Sequence, residues 1–292
     1  MRRVLAAAWL SVWAMISTAN PADSIAIVAN ARSMQPGELV VLTMAVPELA
    51  NGVRLHAFGH EIPVFRVDAV TWRGLIGIDL AVRPGSYAAT VEARTGRRQL
   101  QATYRLKVLP RRFPARALTV DPALVTPPPE MQARVAREAA ELEQLWRQSS
   151  PERLWHGPFL PPVPSTVASR FGARSIFNGQ ARSPHSGADF PSPAGAPIAA
   201  PNAGRVVLAR NLYFSGNTVV LDHGLGLFSL LAHLSVIGVH EGDSVATGQE
   251  IGKVGATGRV TGPHLHWGVR AGGARVDPLA VLAVLAHETP PH

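Results

Sequence analysis

Two histidine-bearing motifs stand far apart in the chain, His185-Ser186-Gly187-Ala188-Asp189 and Gly262-Pro263-His264-Leu265-His266-Trp267-Gly268. Imidazole nitrogens and carboxylate oxygens are ordinary zinc ligands, so together the motifs read as a zinc site. His264 and His266 would diverge by about 200° on an α-helix but project from one face of a β-strand. The alternation favours a strand, with Leu265, Trp267 and Val269 toward the core and His264, His266 and Gly268 toward a groove. His185 and Asp189 have an even spacing that suits one face of an extended segment, and Gly187 between them has no side chain to block the space. Two imidazoles and one carboxylate would leave a fourth position on tetrahedral zinc for water, the arrangement of catalytic sites.

The ordered set resembles the M23 family of zinc metallopeptidases, the LytM- or lysostaphin-type enzymes that cut peptide bonds in bacterial cell walls. The resemblance covers roughly residues 171–279. It rests on His185 and Asp189 as the HxxxD motif, His264 and His266 as the HxH motif, and His233 within Leu231-Ala232-His233-Leu234-Ser235. Asp222-His223-Gly224, Gly242-Asp243, Gly248-Gln249, Gly252, Gly255, Thr257-Gly258 and Val276-Asp277-Pro278 add a supporting framework. Either histidine motif alone is weak; the ordered set is strong.

By position, the resemblance implies that His185, Asp189 and His266 bind Zn2+ and that His233 and His264 are free catalytic imidazoles. Zinc would lower the pKa of water to about 7 and polarise the scissile carbonyl. A neutral imidazole can accept the proton of that water, and a second can donate toward the oxyanion or the leaving amine. One departure is Leu231, where the family very often has tyrosine. Two residues before His233 on a strand, position 231 is expected to share the site face, so the missing hydroxyl would bear on efficiency or substrate choice.

The remaining histidines carry no such pattern. His60-Glu61 and His240-Glu241 look like fragments of HExxH, but Val64 and Ser244 occupy the places where a second histidine is required. His223 is expected to shape a turn.

A chain of 292 residues is long enough for about two domains. With 47% hydrophobic and 16% charged residues it is globular rather than disordered. Its net charge of +8 has no lysine or arginine cluster interleaved with aromatics, which argues against nucleic acid as partner. An anionic wall polymer is compatible with that charge. Arg2-Arg3, the apolar run from Val4 to Ile16 and the small residues Ser17-Thr18-Ala19 read as a signal peptide over residues 1–19, too short for the roughly 20 apolar residues of a span. A periplasmic or secreted location follows, with no stable membrane span after cleavage. The chain has no cysteine, which excludes disulfides, lipoprotein attachment and a thiol nucleophile.

The expected fold class is mainly β. Residues 20–110 contain seven short strand-like runs separated by turns such as Pro36-Gly37, Asn51-Gly52 and Pro84-Gly85, suggesting an immunoglobulin-like sandwich. Residues 111–166 read as a proline-rich linker with one helix over 130–148, whose stripe Met131, Val135, Ala139, Leu142 and Leu145 must dock on something. Residues 167–285 would form the antiparallel peptidase sheet, antiparallel because most links are too short for crossovers. The segment before the peptidase core is expected to restrain the enzyme, with the helix or a loop of the β-module covering the cleft. The expected function is a zinc endopeptidase acting on the peptide stems of peptidoglycan. The alternatives are an inactive LytM-type activator of another wall hydrolase, disfavoured by the intact residue set, and a secreted general metallopeptidase.

Overall fold

The computed structural model describes residues 24–118, 127–177, 180–181 and 183–286. The signal-peptide reading of residues 1–19 lies outside them. Eight strands come first: β1 (Ala26–Ala31), β2 (Leu39–Ala45), β3 (Gly52–Ala57), β4 (His60–Ile62), β5 (Val64–Arg66), β6 (Thr71–Gly77), β7 (Gly85–Thr95) and β8 (Arg98–Val108). They form two antiparallel sheets ordered β1-β2-β6-β5 and β4-β3-β7-β8. Val40, Leu42, Met44 and Ile76 of the first sheet bury against Leu55, Val91 and Leu106 of the second, which makes a sandwich. The apolar stretch from Ile62 to Phe65, which reads in the sequence as one of the seven runs, is divided between two strands in different sheets. Pro63 separates them, since it has no amide with which to continue a ladder.

Next come β9 (Ala115–Leu118), α1 (Pro129–Leu145), β10 (Arg174–Phe177), β11 (Gln180–Ala181), β12 (Gly187–Pro191), β13 (Pro197–Ala199), β14 (Gly204–Leu212), β15 (Gly216–Gly224), β16 (Leu227–Ile237), β17 (Ser244–Val245), β18 (Glu250–Val254), β19 (His264–Ala271), β20 (Ala274–Val276) and α2 (Pro278–Val284). The nine-stranded sheet runs β12-β19-β16-β15-β14-β17, with β18 bridging β13 to β16 and β20 pairing β19. All its pairings are antiparallel. β9 lies inside the expected linker and pairs parallel with β10. The long connection through α1 supplies the crossover that a parallel pair needs.

The helix spans Pro129–Leu145 rather than 130–148; of its stripe, Met131, Val135, Leu142 and Leu145 are half-buried and Ala139 is exposed. Leu142 and Leu145 pack with the buried Trp146 on Phe228, Val220, Leu208 and Leu212, so α1 lies across one face of the large sheet. Arg134 to Asn211 and Glu138 to the Tyr213 amide tie it down.

The sandwich docks on the large sheet. β2 is buried on both faces: Val40 and Leu42 point into the sandwich, while Leu39 and Val41 join the core that contains Leu227, Ala271 and Val276. Adding a Cβ to Gly77 would bring it to 2.7 Å from the Ala271 oxygen and the Ala274 Cβ, so only glycine allows this approach. A polar network borders the contact. Arg32 Nη2 donates to Glu38 Oε1 and to Asp277 Oδ2, both at 2.7 Å, and Arg111 Nη1 lies 3.1 Å from Glu38 Oε1. Nearby, Arg275 grips Asp79 with two guanidinium bonds of 2.7 and 3.0 Å and its own amide at 2.8 Å. Among the described residues, no helix is long and apolar enough to cross a membrane.

Candidate metal centre

β19 alternates as its sequence demands. Leu265, Trp267 and Val269 are buried in the core, and His264 and His266 face the opposite side. Trp267 is pinned from behind: its Nε1 donates to Ser229 Oγ at 3.1 Å, and that hydroxyl lies 2.8 Å from His223 Nε2. His223 Nδ1 lies 2.8 Å from the Ala203 carbonyl, so it carries the proton and Nε2 accepts from Ser229. His223 is thus a fully buried strand residue bracing the core face of β19, not the turn residue expected. Burial pushes its pKa down to about 4.

Asp189 stands opposite His266 in the β12–β19 ladder, and His185 lies just before β12. A Cβ on Gly187 would fall 2.4 Å from the Trp267 oxygen and 2.7 Å from His266 Cε1, so the bare glycine lets the two segments close. His185 Nε2, Asp189 Oδ1 and His266 Nδ1 form a triangle with edges of 2.9 and 3.0 Å. Two metal bonds of about 2.0 Å at a tetrahedral angle span about 3.3 Å, so a small ion fits with little adjustment. These three are the residues that the structure gathers as a metal-capable set.

Hydrogen bonding alone does not satisfy this triangle. The Arg170 carbonyl lies 3.2 Å from His185 Nδ1 and can only accept, which assigns the proton to Nδ1. In a neutral ring, Nε2 then turns a lone pair toward a carboxylate and a second imidazole. Either a second proton on His185 or a cation resolves this. Burial depresses the His185 pKa, but the Asp189 carboxylate outweighs it and raises it overall. Burial would likewise raise Asp189, yet bonds from His185 and His266 hold it far below the usual carboxylate range. Burial keeps His266 low despite Asp189.

His233 reaches the site by a route that period-two counting misses. Val219 pairs with Leu231 and Asn217 with Leu234, so Ala232 and His233 together oppose one residue. His233 carries φ of 68°, the extra residue of a β-bulge. The bulge places its ring centroid 4.9 Å from that of His264 and 6.0 Å from that of His266. Leu231 therefore does not share the site face. It pairs with Trp267 and is fully buried in the core, which corrects the expectation that a hydroxyl at 231 would meet substrate.

The loop holding Thr257 orients His233: Nδ1 lies 2.9 Å from the Thr257 carbonyl, and the Thr257 hydroxyl donates to the Leu234 carbonyl at 2.8 Å. His264 Nδ1 lies 2.9 Å from the Gly262 carbonyl. Both rings therefore carry the proton on Nδ1 and present Nε2 as a base. Burial first, then the neighbouring His266, pushes the His233 pKa down to about 4. Arg170, Thr257 and Gly262 act through main-chain carbonyls, a role the sequence did not assign to them, since no side-chain type marks it. Side-chain exposures of 14–23% at His185, Asp189, His264 and His266 leave the cluster open beside α1.

An antiparallel sheet with a His-Asp-His triangle and two flanking imidazoles has the layout of a metal-dependent hydrolase. Residues 183–278 match the model of Peptidase family M23. A crystallised Pseudomonas aeruginosa chain, described as a candidate M23 peptidase, is 33% identical, covers 87% of this chain and 96% of its own, and superposes with a TM-score of 0.67. This chain belongs to the M23 peptidase family. Among curated proteins, the peptidoglycan DD-endopeptidase ShyA of Vibrio cholerae is 39% identical over 125 residues, 42% of this chain and 29% of that protein. The DD-carboxypeptidase/endopeptidase Mpg of Neisseria meningitidis is 38% identical over 121 residues, 41% of this chain and 28% of that protein. The chain thus spans less than a third of the length of these curated relatives.

Proposed function

We propose that this protein is a zinc endopeptidase that hydrolyses peptide cross-links of peptidoglycan outside the cytoplasm. The observation that carries the reading is the 2.9–3.0 Å triangle of donor atoms with two Nδ1-protonated imidazoles beside it. His185 Nε2, Asp189 Oδ1 and His266 Nδ1 would hold the metal. Zinc bound there would supply Lewis-acid polarisation of the scissile carbonyl and make water acidic near neutral pH. His233 and His264 divide the proton traffic through their Nε2 atoms: one, neutral, takes the proton of the attacking water, and the other, only when it carries a second proton on Nε2, donates that proton toward the oxyanion or the departing amine. A His233 pKa near 4 keeps that ring neutral and able to accept at neutral pH. The carbonyls of Thr257 and Gly262 keep each Nε2 aimed at the site.

The relatives described as DD-endopeptidases support a D-alanyl to diaminopimelate cross-link as the bond cut. The complete residue set argues against an inactive activator. The basic, apolar N-terminal stretch supports export to a periplasm or beyond. We read residues 20–110 as an immunoglobulin-like module, supported by the orders β1-β2-β6-β5 and β4-β3-β7-β8. Residues 111–166 then connect it to a peptidase body over 167–285. Incubating the zinc-loaded protein with purified sacculi and identifying the fragments by mass spectrometry tests the reading. Release of monomeric stem peptides from dimers is expected, and intact dimers after prolonged incubation would contradict it.

A further inference from the structure

The site face of β19 continues past the metal-capable set. His264, His266, Gly268 and Arg270 share that face, so Arg270 lies about 13 Å along the strand from His266. Between them Gly268 leaves a trough, since even an added Cβ would meet nothing closer than the Ser186 oxygen at 3.5 Å. Leu230 opposite Gly268 and Phe228 opposite Arg270 make an apolar floor. Leu142, Glu143 and Trp146 at the end of α1 roof a cavity of about 270 Å3 that reaches from His266 to Arg270.

Arg270 is a poorly matched cation in this setting. Its side chain is 24% exposed, yet among the described residues Nη1 donates only to the Gly273 carbonyl, at 2.9 Å. Nη2 lies 3.9 Å from Glu143 Oε1, beyond hydrogen-bond range, and that carboxylate is itself 63% exposed. The guanidinium sits 5.4 Å from the Trp146 ring, while the neighbouring Arg275 is already committed to Asp79. Arg270 lines the cavity with hydrogen-bonding capacity to spare among the described residues, and a carboxylate there gains paired, charge-assisted bonds that an amide cannot form.

We propose that this cavity is a substrate subsite for a carboxylate, anchored by Arg270, with Glu143 of α1 competing for the same cation. The proposal rests on the peptidase reading and assigns its preference to acidic peptides. The carboxylate comes from either the C-terminus or a side chain of the peptide.

Calorimetric titration of the full chain tests this, using stem-peptide monomers from sacculi as free acids and with either the terminal or the side-chain carboxylate converted to carboxamide. The free acid is expected to bind about tenfold more tightly than one of the two amides, and the amide that loses affinity identifies the source. Arg270→Gln is expected to erase the preference, and Glu143→Gln to strengthen acid binding about twofold. Equal affinity for all forms, no measurable binding, or a preference that survives Arg270→Gln would overturn the subsite. Should Arg270→Gln fail to fold, unchanged acid affinity in Glu143→Gln overturns it instead. Hydrolysis of sacculi without any acid preference removes the subsite and spares the peptidase reading, whereas an Arg270-dependent preference without hydrolysis does the reverse.

Discussion

Two clusters of ionisable groups sit in this molecule, and they are built on opposite plans. At the junction of the sandwich and the large sheet, the guanidinium groups of Arg32 and Arg111 face the carboxylates of Glu38 and Asp277, with contacts as short as 2.7 Å. Every charge there meets its opposite. At the site, the His185 and His266 nitrogens and an Asp189 oxygen crowd within 3.0 Å, with acceptors turned on one another. A balanced cluster holds two bodies in register; an unbalanced one is complete only when a cation or an extra proton enters. Burial is common to both, so it does not separate structure from chemistry here. The donor and acceptor count does.

The largest expected effect sharpens the site side of this contrast. His264→Ala should lower turnover about 10²- to 10⁴-fold while keeping near-stoichiometric zinc, measured by metal analysis beside kinetics on sacculi. A folded but metal-free His264→Ala protein would move His264 into the ligand set. On the junction side, Asp277→Ala should cost about 3 kcal/mol in denaturant unfolding, at the low end for a buried pair because the Arg32 side chain is 35% exposed. Part of that loss is the cap that Asp277 places on the Leu279 amide. Zinc content should not change.

His223 provides a pH-dependent test away from both clusters. Its folded pKa, about 4, lies below the unfolded value near 6.5. Above 6.5 neither state binds the proton. As pH falls from 6.5 toward 4 only the unfolded chain takes it up, so stability declines by about 3 kcal/mol across that window. Comparing unfolding midpoints of the wild type and His223→Gln at pH 7.5 and 4.5 isolates this contribution; parallel pH slopes for the two proteins would rule it out. The smallest effect concerns Leu231→Tyr, which should destabilise by about 1–3 kcal/mol through overpacking against Trp267. Turnover per folded molecule should stay unchanged, and altered turnover with unchanged stability would return residue 231 to the site face.

Leu231 also marks where the sequence stops being legible. Alternation placed the faces of β19 because an uninterrupted strand repeats every two residues, and the motifs named the side chains that meet. A bulge inserts one residue without any compositional sign, so the count from His233 back to Leu231 put the wrong side chain on the groove. Pro63 did carry a sign, since a proline inside an apolar run is a poor ladder member, and the run divides there between two sheets. The stretch Leu39-Val40-Val41-Leu42 also carried one: a continuous apolar strand buries both faces, which is how the sandwich comes to dock on the sheet. The carbonyls of Arg170, Thr257 and Gly262 had none, because any residue supplies a carbonyl and only the loop path aims it.

The central claim is that the unbalanced cluster is a zinc site. Metal analysis and competitive chelation on the wild type and Asp189→Ala, both verified as folded, test it most directly. One zinc per wild-type chain is expected, with stoichiometric binding lost in Asp189→Ala together with hydrolysis of sacculi. Equal zinc affinity in the two proteins, or a wild type that cuts sacculi at full rate after exhaustive chelation, would contradict the account.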